Sequence, residues 1–228
     1  LPFVLLGVFT VLVVGAIALS LSSAPPLAQQ QLQNAAQATM AAPGFSLALS
    51  SSVTTSANSG QPSGTVRLLV LYRAPEAVEE TEQGPPGESA AVIVIGDRRY
   101  QASDSHWTAL APSPGVGALL VKSLMTPLQA AAKASDVTRQ GDLYRFSTND
   151  VDHVVRTLLS VGTTPLSSPR LNAVVHGGYL THEQITALVA HQRLDLELAF
   201  SSIGTAPPVR VPSTLAPAVG VPGTSSTP

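Results

Sequence analysis

The sequence predicts an α+β fold: a single antiparallel sheet with helices packed on one face, preceded by an N-terminal transmembrane helix. Three observations carry the sheet and its helices. RLDLELAF, residues 193–200, places Arg193, Asp195 and Glu197 on one side and Leu194, Leu196, Leu198 and Phe200 on the other, the period of a strand with one wet and one dry face. TVRLLVLYRAP, residues 65–75, alternates in the same way, with Val66, Leu68, Val70 and Tyr72 on the side away from Arg67 and Arg73. In residues 116–135, by contrast, Leu119, Leu120, Leu124, Leu128 and Ala131 recur at intervals of one, four, four and three, which is helical spacing.

The chain opens with LPFVLLGVFTVLVVGAIALSL, residues 1–21, which carry no charge and no strongly polar side chain. About twenty apolar residues rising ~1.5 Å each cross a hydrocarbon layer of roughly 30 Å. Ser22-Ser23-Ala24 before Pro25 also fits a small-residue cleavage site, so residues 1–22 are assigned as a transmembrane anchor or a signal segment. No Lys or Arg follows until Arg67. Nothing therefore holds the chain after the apolar run in the cytoplasm, and the expectation is a single-pass cell-membrane protein with an extracytoplasmic domain.

A Ser/Pro linker (22–26) leads into LAQQQLQNAAQATMAAPG, a helix ending at Pro43-Gly44 whose Leu27, Gln31, Asn34, Ala38 and Ala41 fall near one stripe. FSLALSSSVT (45–54) alternates as a strand, SANSGQPSG reads as a flexible turn, and 65–75 follows as a strand with Val66, Leu68, Val70 and Tyr72 inward. EAVEETEQGPPGE is read as an exposed strand end and loop. AAVIVIGDRRYQAS gives two strand pieces around Gly96-Asp97, and Trp107 sits on a short piece after them. In the helix of 116–135, Pro127 is expected to kink or divide it. DVTRQGDLYRFST is a hairpin around Gln140-Gly141 with Tyr144 and Phe146 on one face, and DVDHVVRTLLSVG a short helix that Asp150 could cap. RLNAVVHGGYLTHEQITALVAHQ is compatible both with a helix capped at Thr181 and with two paired strands. The compact domain is assigned to 23–212, and the uncharged Pro/Ser/Thr-rich residues 213–228 to a disordered tail.

Twelve basic and fourteen acidic residues leave a formal charge of −2, so no excess of positive charge recruits nucleic acid. No cysteine is present, which removes disulfides, thiolate metal sites and thiol nucleophiles. His182-Glu183 begins a zinc-protease-like motif, but the position of the second histidine is Thr186. His106, His153 and His176 suit strand ends, turns and a helix surface. There is no Gly-x-Ser-x-Gly elbow, no Ser-x-x-Lys and no phosphate-cradling glycine loop, and Asp150 with Asp152 suits a helix start better than an acid/base dyad. The expectation is a protein that is not an enzyme, with no metal and no cofactor.

The order of elements, together with GDRRYQASDSHW (96–107) and AFSSIGTAPPVRVP (199–212), resembles the LolA-like lipoprotein carriers of actinobacteria, of the LppX and LprG type, over residues 27–212. The resemblance implies one antiparallel sheet curled into a half-barrel, helices plugging its concave side, and an apolar cavity for acyl chains. It also implies carriage of lipids or lipoglycans outside the membrane. Those proteins carry a lipidated cysteine. Here a spanning helix would replace it, which points to local hand-over or sensing rather than shuttling.

The expected inner face comprises Val66, Leu68, Val70 and Tyr72, then Tyr144 and Phe146, then Leu194, Leu196, Leu198 and Phe200. Leu119, Leu120 and Leu124 form the helix packed against it. Such a set suits a filled core as well as a cavity wall, because ligand pockets are themselves mostly apolar. Two functions follow from the sequence. One is a membrane-tethered binding protein whose partner is a lipid or acyl chain. The other is a structural or protein-interaction module of the cell envelope with a solid core and no ligand.

Overall fold

A computed structural model describes residues 27–54, 62–83, 90–103, 106–159, 166–189, 192–213 and 215. The expected anchor, residues 1–22, and most of the expected tail lie outside the described residues. Among them are three helices, α1 (Leu27–Ala41), α2 (Val116–Ala132) and α3 (Val151–Leu159), and eleven strands. β1 (Gly44–Thr54), β2 (Pro62–Arg73), β3 (Ala77–Glu82), β4 (Ala90–Ile95), β5 (Arg98–Ser103) and β6 (His106–Ala109) precede α2. β7 (Ser135–Gln140) and β8 (Leu143–Ser147) follow it, and β9 (Leu166–His176), β10 (Tyr179–Val189) and β11 (Gln192–Ser201) follow α3.

All eleven strands form one open sheet in the order β6-β5-β4-β3-β2-β1-β11-β10-β9-β8-β7, every neighbouring pair antiparallel. It is two meanders joined where β1 meets β11. α2 follows one outer strand and precedes the other, and its 17 residues span about 25 Å at ~1.5 Å each. Pro127 does not divide it. The helix runs through the proline, whose neighbours Leu124, Met125 and Leu128 are all buried in the core; their burial offsets the hydrogen bond that proline cannot donate.

Register assigns the faces. Leu47 lies opposite Val70 and Phe200, Leu49 opposite Leu68 and Leu198, and Ser51 opposite Val66 and Leu196. This face and the three helices share one core cluster with Tyr144, Phe146 and Leu171. The acidic stretch read as an exposed end and loop is instead β3, paired along its whole length with β2 and β4. Its Val78 is fully buried, and Glu80 and Glu82 fall on the same inward face. Residues 170–189 form paired strands joined through Gly177-Gly178, both at positive φ. Thr181 is not a cap; it lies within β10, where the register shifts between Leu180 and His182.

The buried stripe of α1 is Leu32, Ala35, Ala36 and Thr39. Leu27, Asn34 and Ala41, expected near the stripe, are exposed, because small residues rather than the one leading leucine face β10. Thr39 hooks the helix to the sheet: its hydroxyl donates to the Ala35 carbonyl at 2.9 Å and accepts the Leu180 N–H at 3.0 Å. The β10 irregularity frees that N–H from the ladder, and the threonine satisfies it. At the other end of the molecule, Gly117 presses the start of α2 onto the sheet. A Cβ there would lie 2.7 Å from the Gly96 carbonyl oxygen and 3.1 Å from that of Glu76. The Asp150 carboxylate does not cap α3; it accepts from Lys133 Nζ at 2.8 Å.

After β11 the chain crosses the outer face. Gly204 N–H bonds the Gly44 carbonyl, Arg73 bonds the Ala206 carbonyl, and Pro207 lies among Leu69, Leu71, Glu79 and Thr81. Leu215 forms a single parallel bridge with Trp107 of the edge strand β6.

Candidate functional site

The inward face changes character along its length. At one end Phe45 packs against Tyr72 and Phe200, with ring centroids 5.0 and 5.4 Å apart, and all three are buried. Aromatic side chains fill the space between sheet and helices there. Toward the other end β1 presents Leu49, Ser51 and Val53, and β2 presents Leu68 and Val66. These are shorter side chains, and they leave space.

That space is a cleft of ≈480 Å³, within the range of about 300–1,000 Å³ usual for small-molecule sites. Leu49, Val53, Val66, Leu68, Val189, Leu194 and Leu158 of α3 supply its apolar wall, and Ser51, Glu82 and Gln192 its polar groups. Val66 is 49 % exposed, an apolar side chain left open at the mouth of an otherwise dry face. Burial pushes the carboxyl of neighbouring Glu80 above its ordinary value.

Of the side chains expected from sequence, Val66, Leu68 and Leu194 meet in the cleft. Val70, Tyr72, Leu124, Tyr144, Phe146, Leu196, Leu198 and Phe200 are buried in the core instead, and Leu120 packs half-buried against it. Leu119 is 69 % exposed on the outer side of α2 and does not face the sheet. Sequence reasoning missed Leu49, Val53, Leu158, Val189 and the three polar groups. The alternation of 45–54 was the available signal for Leu49 and Val53; nothing in the pattern marks an inward glutamate.

A second inward acid lies deeper. Glu183 on β10 is fully buried between Ala173 of β9 and Leu198 of β11, and neither carboxyl oxygen has a hydrogen-bond partner among the described residues. Desolvation pushes its pKa up to about 8. His182 faces outward to Glu197 at 3.0 Å. Among the described residues no three His, Asp or Glu side chains are grouped to hold a metal ion.

No protein-family model matches the chain. No curated protein matches its sequence. Solved structures do match. The lipoprotein LppX of Mycobacterium tuberculosis superposes with a TM-score of 0.51 at 14 % identity, covering 82 % of this chain and 100 % of that one. LprF from Mycobacterium bovis gives 0.49 at 16 % identity, covering 83 % and 99 %. A LolA superfamily protein from Nitrosomonas europaea gives 0.32 at 10 % identity, covering 76 % and 92 %. The chain shares its fold with LppX.

Proposed function

From a half-barrel of the LppX type whose inner face is open at one end, we propose that this protein binds a lipid or another acyl-chain ligand, with the chain seated in the cleft between β1, β2, β11 and α3. The observation that carries the reading is the cleft itself. A sheet-and-helix core that needed only stability would close over Val66 and Leu68, since exposed apolar surface forgoes roughly 25 cal/mol per Å². An apolar chain occupying the cleft would recover that burial.

The apolar run of residues 1–21 supports tethering to the cell membrane, and the absence of Lys and Arg between it and Arg67 supports an extracytoplasmic position for the domain. A tethered carrier would accept or sense lipid at the membrane it is fixed to. Ser51 is the one hydroxyl in the described lining, and the lining places no histidine or lysine beside it to activate it, so the reading is binding rather than catalysis.

The test is uptake of a fluorescent acyl probe by the full chain and by a Leu68→Trp variant, whose larger side chain fills the cleft. Saturable uptake by the wild type, lost in the variant at unchanged thermal stability, supports the reading. Equal uptake by both places the probe elsewhere and ends it.

A further inference from the structure

Among the described residues, the one charged side chain that lines the cleft is acidic. Glu82 lines it, and Glu80 is two residues along β3 on the same face. The nearest strand cations, Arg67 and Arg193, fall on the outer face, and Arg193 is bonded to Asp195 at 2.8 and 3.0 Å. Arg99 is inward, but it pairs with Val94, two strands over from Glu82 and Glu80 and four and two residues along from them, roughly 16 and 12 Å away between backbones at ordinary sheet spacings. On α3, Arg156 is about 200° round the helix from Leu158 and has an interaction of its own. Lys122 is exposed on α2, which contributes nothing to the cleft.

The connections between the cleft-lining elements add no permanent positive charge, and their one titratable base is His191. Residues 55–61, 84–89, 160–165 and 190–191 read TSANSGQ, GPPGES, SVGTTP and AH, with no Lys or Arg. A phosphate at the mouth would meet the exposed carboxylate of Glu82, with half-buried Glu80 deeper on the same face, and like charges brought together are unfavourable. Hydroxyl groups would instead donate to Glu82 and Glu80, and such charge-assisted bonds are about twice as strong as neutral ones.

We propose that the cleft selects acyl lipids with an uncharged, hydroxyl-bearing head group and rejects those with an anionic head. This rests on the acyl-binding reading above and names the class of ligand for the same site.

Native mass spectrometry of the full chain, released from neutral-detergent micelles after incubation with equimolar dioleoylglycerol and dioleoylphosphatidylglycerol, tests it, because the two lipids share their chains. The expected result is a preference of at least about tenfold for dioleoylglycerol, equivalent to about 1.4 kcal/mol. The preference should shrink at high salt and approach unity in a Glu80→Gln/Glu82→Gln variant. Equal binding of both lipids, or a preference for phosphatidylglycerol, overturns the head-group inference and leaves the carrier reading intact. No adduct with either lipid overturns both. The salt titration on the wild type decides the question even where the double variant does not fold.

Discussion

Glu183 is the residue whose chemistry is most at odds with its surroundings. A fully buried carboxyl without a partner is driven to its neutral form, and its pKa rises to about 8. In the unfolded chain the same group titrates near the ordinary glutamate value of about 4.3. Between those two pH values the folded state holds a proton that the unfolded state has lost, so stability falls as pH rises through the window and levels off above it. The expected loss from pH 5 to pH 8 is on the order of 4 kcal/mol, read by urea denaturation at the two pH values. Glu183→Gln should flatten the dependence; a wild-type profile that is already flat would mean that the carboxyl finds a partner. Nothing in the sequence foretold this. Period-two reading assigns a face from the apolar residues that alternate, and Glu80, Glu82 and Glu183 occupy inward positions with the side chain that the pattern reserves for the outside.

At the scale of elements, the fold depends on two places where a helix touches the sheet through a single group. Thr39→Val keeps the shape of the side chain and removes the acceptor for the Leu180 N–H. An orphaned buried donor costs about 1–3 kcal/mol, so this variant should unfold at correspondingly lower denaturant while retaining its far-ultraviolet spectrum. Gly117→Val puts a branched side chain where even a Cβ would lie 2.7 Å from a backbone oxygen. The expected cost is about 1–3 kcal/mol of strain, measured as a drop in Tm. Stabilities equal to wild type would show that the contacts are slack. Most elements were legible: the alternations of 65–75 and 193–200 became β2 and β11, the hairpin at Gly141 joins β7 to β8, and the helical spacing of 116–135 became α2. The exceptions have physical causes. Acidic β3 was hidden because its pattern of charge resembles a solvated loop. The α1 stripe was misplaced because alanine and threonine share the buried face with Leu32 while Leu27 stays exposed. Thr181 looked like a helix cap because an irregularity in a strand and a helix start use the same residue types.

For the whole molecule, the sheet order explains why the cleft lies where it does. β1 and β11 join the two meanders at the centre of the sheet, and their inward residues run from the ring cluster of Phe45 and Phe200 to Val53 and Leu194 in the cleft wall. One end is closed by aromatics, the other is left to smaller side chains. The sequence showed which residues share this face but not which of them stop short of filling it. Cavity or core depends on the volume between sheet and helices, which no single strand's pattern records. The segment after Gly204 crosses the opposite face, where Ala206 bonds Arg73 and Pro207 lies among Leu69 and Leu71, away from the cleft. Deleting residues 207–213 should therefore lower Tm by uncovering the outer face around Leu69 and Leu71, where Pro207 lies, while leaving acyl-probe uptake by the folded fraction unchanged. Loss of uptake at unchanged Tm would place the ligand under that segment.

The most direct test of the cleft is photocrosslinking of the full chain with a fatty acid carrying a diazirine on its acyl chain, followed by peptide mapping. The account predicts labels concentrated on Leu49, Val53, Val66 and Leu194 of the cleft wall, competed by unlabelled lipid. Labels confined to the apolar run of residues 1–21, or to the outer face around Leu69 and Leu188, would contradict it.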